Sequence, residues 1–335
     1  MRASLFRGKG VFSVEDVPVP VPGDDEALVK VEYCGICGSD LHLAASEQMP
    51  VGAILGHEFV GRVASTGKAV SGWPEGVRVV GNPFRYCNTC YFCAHGPREL
   101  CTGATGLGLG LVPGAFADYV ATPASGLVRV PPGLESRAAA LAEPMAVALH
   151  ALNVAGEVQG KSTLVVGAGP IGLLVTGLLR ARGAAPVAVA ETMAGRAGRA
   201  RAMGAGLVLN PLEENAAARV RELAPLGPDL VFECAGGSAP LSLALEAVRP
   251  GGTVVLVGVT MEAAPVMPIL LVMREITLKG AYAYSDEFAA GLEIMAAAEV
   301  DIAPIVSGVF PLDRLTEAFA SLHGGGEHAK VLIAP

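Results

Sequence analysis

The chain has 335 residues, which is enough for two domains of ordinary size, each with its own core. Hydrophobic residues make up 52% and charged residues 17% of the sequence, a composition typical of packed globular proteins. The net charge of −8 argues against attraction to phosphate backbones or anionic membranes. We therefore expect a small molecule as the partner, and neither nucleic acid nor a membrane surface.

The N-terminal residues and the cysteines indicate the compartment. The first twelve residues contain no apolar segment of the kind that directs secretion. Residues 162–179 carry no charge, but their glycines and Pro170 favour a buried strand, turn and helix over a membrane span. The seven cysteines of such a chain point away from disulfides, and five of them occupy positions suited to metal chemistry. We expect a cytoplasmic protein.

The first predicted site follows a strand predicted at residues 27–32. The thiolate of Cys37 and the imidazole of His57 are ligands that suit zinc. Glu58 follows the histidine directly, and Asp40 is close enough in sequence to orient the imidazole. We therefore predict a transition-metal site in this segment.

Two further side chains in the same segment predict proton transfer. Ser39 offers a hydroxyl and His42 a second imidazole, which are the minimum for a relay to solvent. Cys34 precedes Cys37 by three residues, so the pair also fits a C-x-x-C motif. We interpret Cys34 as a small buried neighbour of the site and not as a ligand.

A second metal site is predicted from four cysteines spaced C-x2-C-x2-C-x7-C. Four thiolates form a closed tetrahedral site without an open position, which is the structural type of zinc site. An iron–sulfur cluster also uses four cysteines, but no proline follows the last of them. The predicted ligands are Cys87, Cys90, Cys93 and Cys101.

Residues 115–121 are predicted to form a strand, and a helix follows that includes residues 143–150. Glu143 stands directly before Pro144 at the start of this otherwise apolar helix. It is either a first-turn acid favoured by the helix dipole or another metal ligand, and the sequence leaves both interpretations open.

From residue 147 onward, strands and helices alternate, which predicts a parallel sheet. A predicted strand at residues 163–166 leads into a G-x-G-x-x-G turn and a helix that ends near residue 182. The first glycine makes the turn, the second lets a pyrophosphate approach the backbone, and the third lets helix and strand pack closely. The turn residues are Gly167, Ala168, Gly169, Pro170, Ile171 and Gly172.

The next predicted strand, residues 186–190, ends in Glu191, 19 residues after Gly172. An acid at this position accepts hydrogen bonds from the ribose hydroxyls of NAD and repels the 2′-phosphate of NADP. Arg196 lies just beyond and would soften that repulsion. We predict NAD as the cofactor; the alternative is an ordinary solvated acid at a strand end.

The remaining elements complete a six-stranded sheet. Strands are predicted at residues 207–209, 229–234, 253–257 and 276–280, and helices at 213–223 and 239–248. Cys234 is interpreted as a core thiol without chemistry. After residue 281, helices at 288–298 and 311–322 and a strand at 330–333 are too short for a core of their own. We expect this tail to pack against the N-terminal domain.

The order of these motifs resembles the zinc-dependent medium-chain alcohol dehydrogenase family, and in particular its sorbitol, threonine and butanediol dehydrogenase branch. The resemblance covers essentially the whole chain. The matching strings are CGICGSDLH at residues 34–42, GHE at 56–58, EPMAVALHA at 143–151, GAGPIG at 167–172, FECAG at 232–236 and REITLKG at 274–280.

The resemblance implies a fold and a domain division. The fold is α/β: a GroES-like, β-rich catalytic domain and a doubly wound Rossmann domain. The expected domains are residues 1–146 with a zinc lobe at 87–101, residues 147–281 for NAD, and residues 282–335 returning to the first domain. Relatives are commonly dimers or tetramers, so we expect a homodimer or homotetramer.

It also implies two zinc ions and a reaction. Cys37 and His57 would ligate the catalytic zinc, and the four cysteines the structural zinc. Relatives of the two-cysteine type have their third ligand, a cysteine, near the position of Glu143, and polyol-type relatives have a glutamate there, so here Glu58, Glu143 or both in alternation would complete the shell. The zinc would lower the pKa of an alcohol, Ser39 would take its proton towards His42 and solvent, and a hydride would move to the nicotinamide.

Other functions remain open at this point. A zinc-independent enone or quinone reductase would lack Cys37 or His57, and both are present. A zinc-ribbon module for nucleic acid or protein would have a basic lobe, but residues 86–101 contain only Arg98 and His95 as basic residues, alongside Glu99. A protein that binds NAD without turnover is also possible. The substrate pocket would involve residues 47–54 and 103–113, neither of which has a pattern specific for polyols.

Overall fold

The computed structural model describes residues 1–322 and 328–335. The N-terminal part is rich in β-structure, as predicted. Its strands are β1 (Arg2–Gly8), β2 (Val11–Asp16), β3 (Glu26–Gly35), β4 (Glu58–Thr66), β5 (Arg78–Gly81), β6 (Phe84–Arg85), β7 (Thr105–Gly106), β8 (Tyr119–Pro123) and β9 (Leu127–Arg129). Its helices are α1 (Gly38–Ala45), α2 (Tyr91–His95) and α3 (Ser136–Ala139), with short 3-10 turns at Arg98–Leu100 and Ala124–Gly126.

A long helix, α4 (Ala142–Ala155), leads into the second part of the chain. The following elements are β10 (Thr163–Val166), α5 (Pro170–Ala181), β11 (Val187–Ala190), α6 (Ala194–Ala202), β12 (Leu207–Leu209), α7 (Ala216–Leu223), β13 (Leu230–Glu233), α8 (Ser238–Ala247), β14 (Thr253–Leu256), α9 (Pro268–Arg274) and β15 (Thr277–Gly280). The chain then continues through α10 (Glu287–Ala296), β16 (Val306–Pro311), a 3-10 turn (Leu312–Arg314), α11 (Leu315–Leu322) and β17 (Lys330–Ala334).

The second part contains a six-stranded parallel sheet in the order β12-β11-β10-β13-β14-β15. This order is that of the doubly wound dinucleotide-binding fold, so the predicted Rossmann sheet is confirmed. Side chains alternate between its two faces: Val165 belongs to the core cluster shared with α4 and α5, whereas Leu164 and Val166 belong to the cluster on the opposite face. Both faces are therefore covered by helices, as a parallel sheet requires.

The N-terminal part is built on a seven-stranded sheet, in the order β16-β17-β3-β4-β5-β9 with β8 added to β3. Strand β17 pairs antiparallel with β3, so the C-terminal tail packs against the N-terminal domain as predicted. Helix α11 also contributes Phe319 to the core around Phe6, Phe59 and Phe116.

One predicted strand is wrong in its bounds. The strand expected at residues 115–121 begins only at Tyr119. The preceding amides of Ala115 and Phe116 donate to the carbonyls of Gly56 and Leu55 and hold the loop that leads into His57. The segment therefore bonds to the metal-site loop through residues 115 and 116, while Phe116 and Asp118 bond to β1 at Ser4 and Arg2 without forming a continuous strand.

Within residues 1–322 and 328–335, no helix has both the length and the apolar character needed to cross a membrane. The uncharged run at 162–179 forms β10, the glycine turn and most of α5, as the sequence indicated.

Candidate metal centre and nucleotide cleft

The sheet register brings the two halves of the first predicted metal site together. Cys37 follows the end of β3 and His57 precedes β4, and these strands pair with Gly35 opposite Glu58. One ligand atom from each of Cys37, His57 and Glu58 lies within 4.8 Å of the other two. A thiolate, an imidazole and a carboxylate at that separation match a tetrahedral zinc site that has one position left.

Asp40, predicted to orient the histidine, lies beside its ring. It is fully buried in the first turn of α1, and its Oδ2 accepts a hydrogen bond of 2.9 Å from the backbone N–H of Cys37. Its Oδ1 faces His57 Nδ1 at 3.6 Å, which leaves Nε2 free to face a metal. Burial acts to lower the pKa of His57, but the Asp40 carboxylate raises it well above the usual value.

The hydroxyl of Ser39 is buried beside this centre. Ser39 Oγ, Asp40 Oδ1 and His57 Nδ1 have no hydrogen-bond partner among the residues that the structure describes. Asp40 Oδ1 and His57 Nδ1 face each other, whereas the buried Ser39 Oγ is left for a further group, since buried polar atoms without partners are rare in folded proteins. The thiolate, imidazole and carboxylate donors of Cys37, His57 and Glu58 fit a zinc ion. His42, three residues after Ser39 on the same helix, is exposed and could take a proton to solvent.

Glu143 lies in the first turn of α4 and is 8% exposed. Burial raises the pKa of this carboxyl to about 7, while His57 acts to lower it and Glu58 to raise it. Glu143 therefore belongs to the electrostatics of the centre. Its oxygens do not join the group of mutually close ligand atoms formed by Cys37, His57 and Glu58 in the described part of the chain.

A buried ion pair between Lys330 and Glu58, which the sequence analysis missed, borders the metal centre. Lys330, the first residue of β17, places its Nζ 2.7 Å from both carboxylate oxygens of Glu58 and 2.8 Å from the carbonyl of Ile36. Lys330 and Glu58 are only 2% and 1% exposed. One feature of the sequence could have indicated this pair. A lysine is the first residue of an otherwise apolar strand, and that strand was expected to pack against the N-terminal domain.

The four predicted cysteines converge in the lobe that contains α2. One Sγ from each of them lies within 4.8 Å of the others, and Cys87 Sγ lies 3.4 Å from Cys101 Sγ and 3.9 Å from Cys93 Sγ. A tetrahedron with Zn–S bonds of about 2.3 Å has sulfur–sulfur edges of about 3.8 Å. Hydrogen bonds from Thr89 and the backbone N–H of Cys90 lower the pKa of Cys87, whereas burial and hydrogen bonds to its cysteine neighbours raise that of Cys93.

A cleft of about 610 Å³ opens at the carboxyl ends of β10, β11 and β13. This is the edge where doubly wound sheets bind dinucleotides. Gly167 and Gly169 line the cleft, and a side chain on Gly169 would meet nothing within 4 Å, so the backbone is open to a ligand there. Pro170, Ile171 and Gly172 begin α5; a Cβ on Gly172 would lie 1.9 Å from the Gly167 carbonyl.

Glu191 ends β11 at the wall of the cleft. It is 7% exposed, and its carboxylate accepts hydrogen bonds from the backbone N–H groups of Ala168 at 2.7 Å and Met193 at 2.8 Å. Glu191 is thus held against the glycine turn and is not a solvated acid at a strand end. Arg196 lines the same cleft, and its Nε donates to the carbonyl of His328 at 3.4 Å.

Cys234 corrects one expectation. It was predicted as a core thiol, but it is half-buried and lines the nucleotide cleft at the end of β13. Burial strongly raises its pKa, so the thiol stays protonated and its expected lack of chemistry is unaffected.

A doubly wound sheet with this glycine turn, beside a GroES-like sheet that carries a thiolate, an imidazole and carboxylates, defines a nucleotide-dependent oxidoreductase. Two family models match the chain: the alcohol dehydrogenase GroES-like domain at residues 23–132 and the zinc-binding dehydrogenase domain at residues 170–297. The chain belongs to the zinc-type medium-chain alcohol dehydrogenase family, as the motifs indicated.

Similar proteins support this assignment over the full length. L-threonine 3-dehydrogenase of Legionella pneumophila is 31% identical, with 98% of this chain and 99% of that protein covered. Sorbitol dehydrogenase of Bacillus subtilis is 31% identical, with 100% and 97% covered. The crystal structure of a zinc-binding dehydrogenase from Sinorhizobium meliloti bound to NADP is 31% identical and superposes with a TM-score of 0.93, covering 100% and 99% of the two chains. The protein is therefore an NAD(P)-dependent alcohol dehydrogenase, which transfers a hydride between an alcohol, or the matching ketone, and a nicotinamide cofactor.

Proposed function

We propose that this dehydrogenase oxidises a secondary alcohol or polyol with NAD, using a zinc centre at Cys37 and His57. The observation that carries the proposal is the convergence of ligand atoms from Cys37, His57 and Glu58 within 4.8 Å. The enone or quinone reductase alternative requires the loss of Cys37 or His57, and both are present in one site.

Each residue at this centre has a distinct task. A zinc ion bound there supplies a Lewis acid that favours the ionised form of an alcohol. Asp40 holds the His57 ring so that Nε2 faces the metal. Ser39 accepts the proton of the substrate hydroxyl at its buried, unpaired Oγ. His42 is exposed on the same face of α1 and delivers that proton to solvent.

Two carboxylates are available as the third ligand, as the sequence suggested. Glu58 is favoured because its oxygen lies with the thiolate and the imidazole, whereas Glu143 is set further back. Glu143 serves as the second carboxylate of the centre, since its charge already acts on the same groups.

For the cofactor, we propose NAD over NADP. The buried carboxylate of Glu191 sits at the strand end where the ribose hydroxyls of the adenosine half bind, and it would repel a 2′-phosphate there. Arg196 in the same cleft offsets part of that repulsion. The Sinorhizobium meliloti relative is bound to NADP, so the preference of this chain has to be measured with both cofactors.

The second metal site, the domain division and the location of the protein follow from the same assignment. Cys87, Cys90, Cys93 and Cys101 hold a second, structural zinc, and the domains divide at residues 146 and 281. The antiparallel pairing of β17 with β3 supports the return of residues 282–335 to the catalytic domain. All seven cysteines are free thiols, which supports a cytoplasmic location.

Two measurements test the proposal. Metal analysis of the purified protein should return two zinc ions per chain, and one or none would contradict the ligand assignment. A screen of NAD reduction across secondary alcohols, diols, sugar alcohols and 3-hydroxy amino acids should show turnover with at least one class of secondary alcohol. Turnover with primary alcohols alone would contradict the proposal that the substrate is a secondary alcohol or polyol.

A further inference from the structure

All three N–H donors of the buried Lys330 ammonium have hydrogen-bond acceptors at the metal centre. Its three N–H donors have three oxygen acceptors: both oxygens of Glu58, each at 2.7 Å, and the carbonyl of Ile36 at 2.8 Å. Lys330 is the one lysine or arginine classed as buried among residues 1–322 and 328–335. Such a cation persists in a protein interior only when it is paired and hydrogen-bonded.

The same Glu58 carboxylate faces the predicted metal ligands. One of its oxygens lies within 4.8 Å of ligand atoms of Cys37 and His57. Behind it, a Cβ on Gly35 would lie 2.1 Å from Glu58 Oε2, so the absence of a side chain at residue 35 makes room for the carboxylate. Glu58 is thus confined between the backbone of β3, the ammonium and the metal position, and both cations act on the same pair of oxygens.

We propose that Lys330 is a positioning residue which competes with the metal for the Glu58 carboxylate, and so limits how strongly Glu58 ligates. An oxygen that accepts a hydrogen bond from an ammonium donates less electron density to a metal, which leaves the metal more electrophilic towards an alcohol. The inference depends on the proposed metal site at Cys37 and His57.

The balance of charges in the buried centre supports the same role for Lys330. The centre contains the ligand thiolate of the half-buried Cys37 and the buried carboxylates of Asp40 and Glu58, beside a Glu143 carboxyl that burial keeps partly protonated. A zinc dication would neutralise two of the three full negative charges, and Lys330 neutralises the third. Without Lys330, the full charge of Glu58 would be directed at the metal.

The test uses the holoenzyme with cobalt(II) exchanged into its metal sites. Lys330→Met removes the competing ammonium, so Glu58 should bind the metal more strongly. We expect release of the catalytic-site metal to a chelator to slow by about tenfold, the lower end of the effects seen for groups that contact metal ligands. The visible cobalt absorption should weaken as the coordination number rises, and kcat should fall while the KM for the cofactor stays unchanged.

Three comparisons keep this test decisive. Lys330→Arg keeps a cation and should retain the wild-type spectrum, whereas Lys330→Met combined with Glu58→Gln removes the charge of the carboxylate and should reverse the slow release. Lys279→Met is the matched control, because Lys279 also donates to a backbone carbonyl, that of Val154 at 2.9 Å, but lies in the nucleotide-binding sheet. Should Lys330→Met fail to fold, Lys330→Gln keeps an amide donor without the charge and gives the same comparison.

The outcomes separate this inference from the proposed function. Metal release at the wild-type rate or faster, with an unchanged cobalt spectrum in the folded Lys330 variants, would overturn the role of Lys330 alone. A wild-type protein that binds metal only at its four cysteines would overturn the proposed metal centre itself.

Discussion

Cys37 and His57 come from different elements, and only the pairing of β3 with β4 makes them neighbours. Cys34 lies on the same strand three residues earlier, is fully buried and is outside the group of close ligand atoms. Burial and the Asp40 carboxylate raise its pKa well above the usual range, so this thiol does not ionise. The two cysteines of the apparent C-x-x-C motif therefore have different tasks, as the sequence interpretation held.

This difference gives the first prediction. Cys37→Ala should abolish turnover and lower the zinc content from two ions to one per chain, because a thiolate ligand is lost. Cofactor binding, measured by fluorescence titration, should remain since the cleft lies on another sheet. The control is Cys34→Ala, which removes the buried thiol three residues earlier on the same segment and should keep both zinc ions. Retained activity in Cys37→Ala would exclude this residue from the reaction.

The second prediction concerns the role of Glu191 in the choice between NAD and NADP. Replacing it with alanine removes a carboxylate that would accept hydrogen bonds from the ribose of NAD, and bonds to charged groups contribute about 1.5–3 kcal/mol. The ratio of kcat/KM for NAD over NADP should fall by about 10- to 100-fold. Glu246→Gln is the control, because this acid lines the same cleft from α8 but is exposed. An unchanged ratio in Glu191→Ala would mean that the carboxylate only supports the glycine turn.

At the scale of elements, α4 links the metal centre to the nucleotide domain. It begins beside Glu143, packs against α5 and α10, and carries His150 near its middle. His150 Nδ1 donates to Glu287 Oε1 of α10 at 2.9 Å, and Asn153 Nδ2 donates to the same oxygen at 2.9 Å. The His150 Nε2 atom lies 3.9 Å from Glu99 in the four-cysteine lobe. This cluster therefore joins three elements that are distant in sequence.

The Glu287 contact predicts a pH dependence of stability. Burial acts to raise the pKa of Glu287, but the hydrogen bonds from His150 and Asn153 lower it below the usual value. A carboxylate with a lowered folded-state pKa stabilises the fold above its unfolded pKa of about 4.3, and this contribution is lost as the pH falls through the folded-state value. Glu287→Gln should thus lower Tm at pH 7 and match the wild type more closely near pH 4.

Thermal unfolding at both pH values checks this expectation. Glu293→Gln, at an exposed position of the same helix, should leave Tm within about 1 °C of the wild type at either pH, since surface substitutions change stability little. A Tm difference for Glu287→Gln that persists undiminished at pH 4 would contradict the assigned role of its charge.

Most elements of the nucleotide domain could be predicted because the strands other than β15 are short, mostly apolar runs and the turns contain glycine or proline. Strand β16 and helix α9 were missed for physical reasons. Strand β16 contains a glycine and a proline and pairs with β17 through an irregular register, so it has no alternating pattern. Helix α9 is a seven-residue apolar segment with no polar face, so its helical period is not visible.

The site residues that lie close together in sequence could be predicted, and those that are distant in sequence could not. Asp40, His57 and Glu58 lie within a short segment whose spacing carries the chemistry. Lys330 could not be assigned, because it lies 272 residues after Glu58 and reaches it only through the pairing of β17 with β3. Long-range contacts of this kind depend on the topology of the whole domain.

At the scale of the whole molecule, the surface around β15 is unusually apolar. Strand β15 is the last strand of the six-stranded sheet and pairs with β14 on one side. Large hydrophobic side chains are exposed beside it on α9 and the preceding loop: Val259, Met261, Met267, Ile269, Leu270, Val272 and Met273. Exposed apolar patches beside an edge strand are typical of interfaces, and a two-fold axis would let two such edges pair.

We therefore predict that the chain forms at least a homodimer through α9 and β15, with a mass of two or more times the 34.0 kDa of one chain. Val272→Arg places a charge in this patch and should shift the mass measured by sedimentation or light scattering towards the monomer, because an unpaired buried charge destabilises an interface. Leu226→Arg is the control, since Leu226 is 74% exposed in the loop before the central strand β13, away from β15. If both variants keep the wild-type mass, or if the wild type itself is monomeric, the apolar patch is not the surface through which two chains associate.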